Sequence, residues 1–232
     1  MSNYDFTFAH IEEGFDDHIE HSIRGYSNLL EDVVSLSRYF VEPNTNVVDI
    51  GCSTGKLTNL IMKHNTLDAN YIGVELATGF TSDLEKREKS IEKQYPNCSV
   101  EFKKECDIRD YEFKDCSLVT SLFTLQFMPL RDRLRLLQRI YMELCSGGAF
   151  IFSEKLISDT SRIQDMMTFN YYDYKKKNFS ANEILDKEKT LRSMMKPNTW
   201  QELFQMINSS GFDYVQPFWQ NHMFIGILAV KK

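Results

Sequence analysis

The feature that most constrains this chain is an apolar strand breaking into a glycine turn that opens a helix. Val47-Val48-Asp49-Ile50 runs into Gly51-Cys52-Ser53-Thr54-Gly55 and then Lys56. Two glycines remove the Cβ atoms that would block positive φ or close approach, and the following helix offers unpaired N–H groups, so the turn suits a nucleotide-like ligand. Spacing narrows the choice. A dinucleotide fingerprint needs a middle glycine, but Cys52 and Ser53 fill that stretch. A P-loop needs four residues between its glycines and Ser or Thr after the lysine, whereas Cys52, Ser53 and Thr54 alone intervene and Leu57 follows Lys56. NAD and ATP are both disfavoured.

What remains resembles the Asp-x-Gly-Cys-x-x-Gly signature of class I S-adenosylmethionine (SAM)-dependent methyltransferases. The resemblance implies that Asp49 fixes the loop and that Gly51, Cys52, Ser53 and Gly55 pass under the methionine part of SAM. About twenty residues on, Tyr71-Ile72-Gly73-Val74-Glu75 is a second strand ending in an acid, where a carboxylate can accept both ribose hydroxyl protons. Leu76 follows it toward the base. Val100-Glu101-Phe102 and Cys106-Asp107-Ile108 read as a third strand and its exit, and the resemblance sets Asp107 beside the adenine amino group, with Ile108 next to it. Ser117 to Phe127 reads as a fourth strand, Leu130 to Leu144 as a helix, and Ala149 to Lys155 as a fifth strand after the Gly147-Gly148 turn. The expected fold is therefore α/β: a Rossmann-like class I methyltransferase fold with a mostly parallel seven-stranded sheet and helices on both faces.

Around that core, residues 1–44 carry helical signals, with Leu29, Leu30, Val33, Val34, Leu36 and Phe40 as the apolar pattern. Residues 45–155 form the nucleotide-binding core. Residues 158–197, rich in Met, Tyr and Lys, read as a helical insertion at the carboxyl edge of the sheet, where ligands bind in open α/β folds, and so as a lid over the substrate. Trp200 to Ser209 is the last core helix, and strands Tyr214–Trp219 and Met223–Val230 close the chain. One domain is expected from 232 residues.

The composition excludes several function classes. No apolar run reaches membrane-spanning length and Met1-Ser2-Asn3-Tyr4-Asp5 lacks a secretory signal, so the chain is expected in the cytoplasm with no membrane partner. Five scattered cysteines without a C-x-x-C pair indicate neither a metal site nor a disulfide framework. A net charge of −6 argues against an extended nucleic-acid face, so DNA is excluded and tRNA contact is not expected. The basic run Lys175-Lys176-Lys177 beside Tyr171-Tyr172-Asp173-Tyr174 is taken as a solvated helix face.

Further stretches sharpen the resemblance: Ser22 to Asn28 (SIRGYSN), Asp49 to Ser53, Asp107-Ile108-Arg109-Asp110, Phe123-Thr124-Leu125-Gln126-Phe127, Ser153-Glu154-Lys155 and the Asp173-Tyr174-Lys175 neighbourhood. Together they are similar to carboxy-SAM synthase over nearly the whole chain from about Ser22. That family takes a carboxyl from prephenate to make the carboxy-SAM later used on the wobble uridine of tRNA. The resemblance implies that Tyr26 closes over the sulfonium end of the cofactor and that the protein forms a homodimer. Two positions depart from it. Glu188 stands where the family has an arginine for the added carboxylate, with Arg192 one helical turn away, and Leu122 stands where it has an asparagine. A carboxylate facing a carboxylate repels, so the sequence favours a SAM-dependent methyltransferase acting on a small-molecule acceptor. Carboxy-SAM synthesis and a non-catalytic SAM-binding or tRNA-associated module are the alternatives. The acceptor is expected against Tyr26, Phe127, Tyr171 and Tyr172, with His18, His21 or Glu154 as candidate bases.

Overall fold

The computed structural model describes residues 14–65 and 68–232. Two helices, α1 (Phe15–Ser22) and α2 (Tyr26–Ser37), precede β1 (Asn46–Ile50) and α3 (Lys56–Asn65). There follow β2 (Asn70–Val74), α4 (Thr81–Gln94), β3 (Ser99–Lys103) and β4 (Cys116–Leu122). A 3-10 turn (Leu125–Phe127) leads to α5 (Leu130–Glu143) and β5 (Leu144–Lys155). The insertion supplies α6 (Ser161–Lys175) and α7 (Ala181–Met194), and α8 (Trp200–Asn208), β6 (Tyr214–Asn221) and β7 (Phe224–Val230) complete the chain.

The sheet has seven strands in the order β3-β2-β1-β4-β5-β7-β6, parallel from β3 through β5 and antiparallel where β7 joins β5 and β6. Strand order therefore reverses between β1 and β4, which places a crevice beyond their carboxyl ends. Both faces are covered. One is packed by α2, α3, α4 and α6, around Leu29, Val33, Ile61 and Leu84. The other is packed by α5 and α8, around Leu136, Leu137, Ile140 and Ile207. In α2 the buried residues Tyr26, Leu29, Leu30 and Val33 follow the i, i+3, i+4, i+7 spacing that defines one helix face.

Two boundaries differ most from the sequence reading. The fourth strand does not run to Phe127: it stops at Leu122 because Phe123 turns to φ +59, and its N–H bonds to Ser153 O at 2.7 Å. The fifth strand starts at Leu144 rather than Ala149, with Gly147 at φ +83 inside it. Among the described residues, no helix is long and apolar enough to cross a membrane.

Candidate functional site

The loops after β1 and β4 meet at the crevice. Gly51 has φ +67, and a Cβ there would overlap the Thr124 side chain, whose hydroxyl donates to Ile50 O at 3.2 Å. Glycine is thus required twice over, by backbone conformation and by close approach. Gly55, at φ +71, would place a Cβ 2.7 Å from the Phe102 ring. Beneath the turn, Asp49 is buried and accepts from Thr58 Oγ1 and Thr120 Oγ1, each at 2.8 Å. Burial outweighs those two hydrogen bonds and pushes its pKa up to about 6.

Glu75 closes the other side. Its Oε2 accepts from Ser53 N and its Oε1 from Ala77 N, both at 2.8 Å, so the acid ties the turn to the end of β2. Burial nevertheless raises its pKa. Each oxygen keeps a lone pair for a ribose hydroxyl. Leu76, beside it, is exposed. Asp107 grips Arg109 through both carboxylate oxygens, at 2.9 and 3.0 Å to Nε, and this pair holds its pKa below the usual range although burial opposes it. Ile108 is buried with Val74 in the second core cluster. Cys52 is buried, and burial followed by the charges of Asp49 and Glu75 raises its pKa, so it is a thiol filling space.

The N-terminal helices dock on this turn. Thr54 Oγ1 donates to Asp16 Oδ1 at 2.8 Å, and Phe15 meets Phe80 edge-on at 5.0 Å. Tyr26 is buried, its ring centroid 6.3 Å from that of Phe123. Phe123 packs on Phe224 at 5.5 Å, and Phe224 on Tyr171 at 5.5 Å, so an aromatic wall runs from the cofactor turn to the lid. Leu122 ends β4, half-buried against the first core cluster, and Phe127 is half-buried at the end of the 3-10 turn that follows.

At the lid end lies a buried charge cluster. Glu188, 6% exposed, has Lys155 Nζ at 4.0 Å and Arg192 Nε at 3.9 Å. Lys175, 2% exposed, lies over the rings of Tyr171 (5.4 Å) and Phe179 (5.7 Å), and Lys155 over Tyr171 at 5.6 Å. Lys187 meets His18, and burial followed by Lys175 lowers the Lys187 pKa to about 8. Burial likewise lowers Lys155 and Lys175. Two expectations change. Lys175 is not part of a solvated helix face; it points inward, while Lys176 and Lys177 face solvent. Glu188 is not a bare carboxylate facing the cofactor, because cations surround it.

The aromatic candidates divide. Tyr171 is buried, its hydroxyl donating to Ser22 O at 2.9 Å, and its phenol is held above the usual range by burial. Tyr172 is half-exposed, and burial followed by the Glu188 charge raises its phenol, with Arg192 opposing. His18 has its pKa lowered to about 4, first by burial and then by Lys187 and Lys175. His21 is solvent-facing on Asp17. Glu154 is buried and bonded to Leu125 N at 3.0 Å, with its pKa pushed up to about 8 by burial.

Comparison with known proteins decides the family. The chain is 31% identical to carboxy-S-adenosyl-L-methionine synthase of Staphylococcus epidermidis, over 94% of this chain and 92% of that protein. It is 33% identical to the Aliivibrio fischeri protein of the same name, over 98% of this chain and 93% of that one. The chain belongs to the carboxy-SAM synthase family. A family model described as a methyltransferase domain matches residues 47–148. Among solved structures the fold is similar to Haemonchus contortus phosphoethanolamine N-methyltransferase 2, with TM-score 0.66 and 15% identity over 97% of this chain and 59% of that one. It is also similar to magnesium protoporphyrin IX methyltransferase from Synechocystis, with TM-score 0.61 and 15% identity over 92% of this chain and 87% of that one.

This member of the carboxy-SAM synthase family is a SAM-dependent transferase on the class I fold. Its own residues fit SAM: two glycines in left-handed backbone and a tethered Glu75 frame a cradle that side chains would fill. Sequence reasoning missed Thr58 and Thr120 as the partners of Asp49, and Lys155, Lys175 and Lys187 as a cluster. The Ser153-Glu154-Lys155 motif and the Asp173-Tyr174-Lys175 neighbourhood hinted at two of them separately, but not at their meeting.

Proposed function

We propose that this chain makes carboxy-SAM from SAM and an anionic carboxyl donor of the prephenate type. One observation carries the reading. The negative charge at 188, which argued for plain methyl transfer, lies between Lys155 and Arg192, while buried Lys175 and half-buried Lys187 leave the lid with surplus positive charge. A buried cation needs a counter-charge, and a carboxylate donor provides one.

SAM supplies a methyl group activated by its sulfonium. Glu75 and Asp107 orient the nucleoside, and the turn from Gly51 to Gly55 seats the methionine part. Tyr26 and Phe123 exclude water beside the reacting carbon, and Lys155 with Lys175 holds the donor by its carboxylates. Proximity and a dry site provide most of the rate gain. Net, a methyl C–H bond is replaced by a C–C bond to the carboxyl carbon; the proton and the donor's ring hydroxyl leave as water, and an aryl pyruvate remains.

Leu122 favours a second reading, methyl transfer to a small-molecule acceptor, because an apolar side chain at the end of β4 offers no hydrogen bond to an added carboxylate. Incubation with SAM, with and without prephenate, followed by mass spectrometry separates the two. Prephenate-dependent carboxy-SAM with matching phenylpyruvate supports carboxyl transfer. S-adenosylhomocysteine formed with an acceptor, and no prephenate-dependent product, supports methyl transfer instead.

A further inference from the structure

Helix α5 buries Arg133, Leu136, Leu137 and Ile140, an i, i+3, i+4, i+7 stripe whose first position carries a guanidinium in place of an apolar side chain. Arg133 is 2% exposed. Its Nε and Nη2 donate to Met128 O at 3.1 and 2.9 Å, Nη2 also donates to Gln126 O at 3.1 Å, and Nη1 donates to Asn198 Oδ1. These acceptors belong to two separate segments, the turn after β4 and the exit of the lid.

The bonds continue outward from there. Gln126 Oε1 accepts from Lys155 N at 2.8 Å, and Gln126 O accepts from Lys196 N at 2.8 Å. Asn198 O accepts from Ile157 N at 3.0 Å, and Leu156 bridges Asn198 in parallel register. Entry and exit of the lid, at 156–157 and 196–198, are thereby stitched to each other and to the turn that seats Lys155. Burying a guanidinium is costly even when its donors are met, and an apolar residue of similar volume would pack at lower cost. What the charge adds is geometry, since a planar fork fixes several acceptors at once where an ammonium cannot.

We propose that Arg133 is a positioning residue, which through Gln126 and Asn198 sets both the seat of Lys155 and the base of the lid. The arm of the test that measures turnover rests on the transferase reading; the arm that measures exchange does not.

The test compares Arg133→Met, Arg133→Lys and Asn198→Ala by amide hydrogen exchange, SAM calorimetry and steady-state kinetics with prephenate. Asn198→Ala removes a partly exposed side chain that accepts from Arg133 and donates to Glu202 Oε2 at 3.4 Å, and guards against loss of folding at position 133. Each variant is expected to exchange about tenfold faster or more at the amides of Lys155, Ile157 and Lys196, with Val47 to Ile50 and Tyr71 to Val74 unchanged. SAM affinity should stay within about twofold, while KM for prephenate rises about tenfold with a smaller change in kcat. Unchanged hinge amides, acceleration spread equally over the sheet, or full protection in Arg133→Lys would overturn the proposal. If the wild type makes no carboxy-SAM, the functional reading fails while the exchange result still decides this one.

Discussion

Asp49→Asn tests whether burial governs the acid under the cofactor turn. Asp49 is 3% exposed, and its pKa lies at about 6 instead of 3.8. That displacement corresponds to about 3 kcal/mol in favour of the neutral form. Because the folded value is raised, the contribution is present in full below pH 3.8 and is lost as pH rises through about 6. Integrated between pH 4.5 and 7.5, the ligand-free wild type loses about 2 kcal/mol on this group alone. Asparagine stays neutral throughout. It keeps an acceptor for one threonine and presents an NH2 to the other, so any change it makes to these hydrogen bonds is independent of pH. The Tm of the variant minus that of the wild type should therefore rise by about 4 to 8 °C from pH 4.5 to 7.5, measured by calorimetry without SAM. Parallel profiles would refute the reasoning, and a difference that falls with pH would mean the two threonine hydroxyls hold Asp49 ionised.

Three shorter predictions follow from the same geometry. Gly51→Ala forces a Cβ into the Thr124 side chain at φ +67, and SAM affinity by calorimetry should fall about tenfold or more. Glu188→Gln removes the carboxylate between Lys155 and Arg192; stability should drop by about 3 kcal/mol. Inorganic phosphate should then raise the Tm of this variant more than that of the wild type at matched ionic strength, and an equal response would discount the cation surplus. Tyr171→Phe leaves Ser22 O without its donor and should cost about 1 to 2 kcal/mol in urea unfolding, with SAM affinity retained.

The glycine turn and the two acids around it were legible because they are local. A glycine turn, an acid at the end of β2 and an acid after β3 lie at the ends of consecutive elements, so the strand and helix pattern delivers them to one edge of the sheet. The end of β4 was not legible: Leu122 to Phe127 is mostly apolar, with Thr124 and Gln126 alternating as in a strand, and nothing in that pattern shows that Phe123 turns left-handed. Lys175 was misread for a related reason. In a run of three lysines on a lid helix, only the packing of α6 on the core tells which one faces inward.

The sequence by itself determined the fold class, the glycine turn after β1 and the family, since these rest on spacings within a few residues and on similarity along the whole chain. Tertiary structure alone decided the charge at 188. Lys155 ends β5, Lys175 ends α6, and Glu188 with Arg192 lies on α7, so their meeting depends on how two lid helices close over one strand. Coulomb energy depends on distance through space and on burial, and neither can be read from separation along the chain.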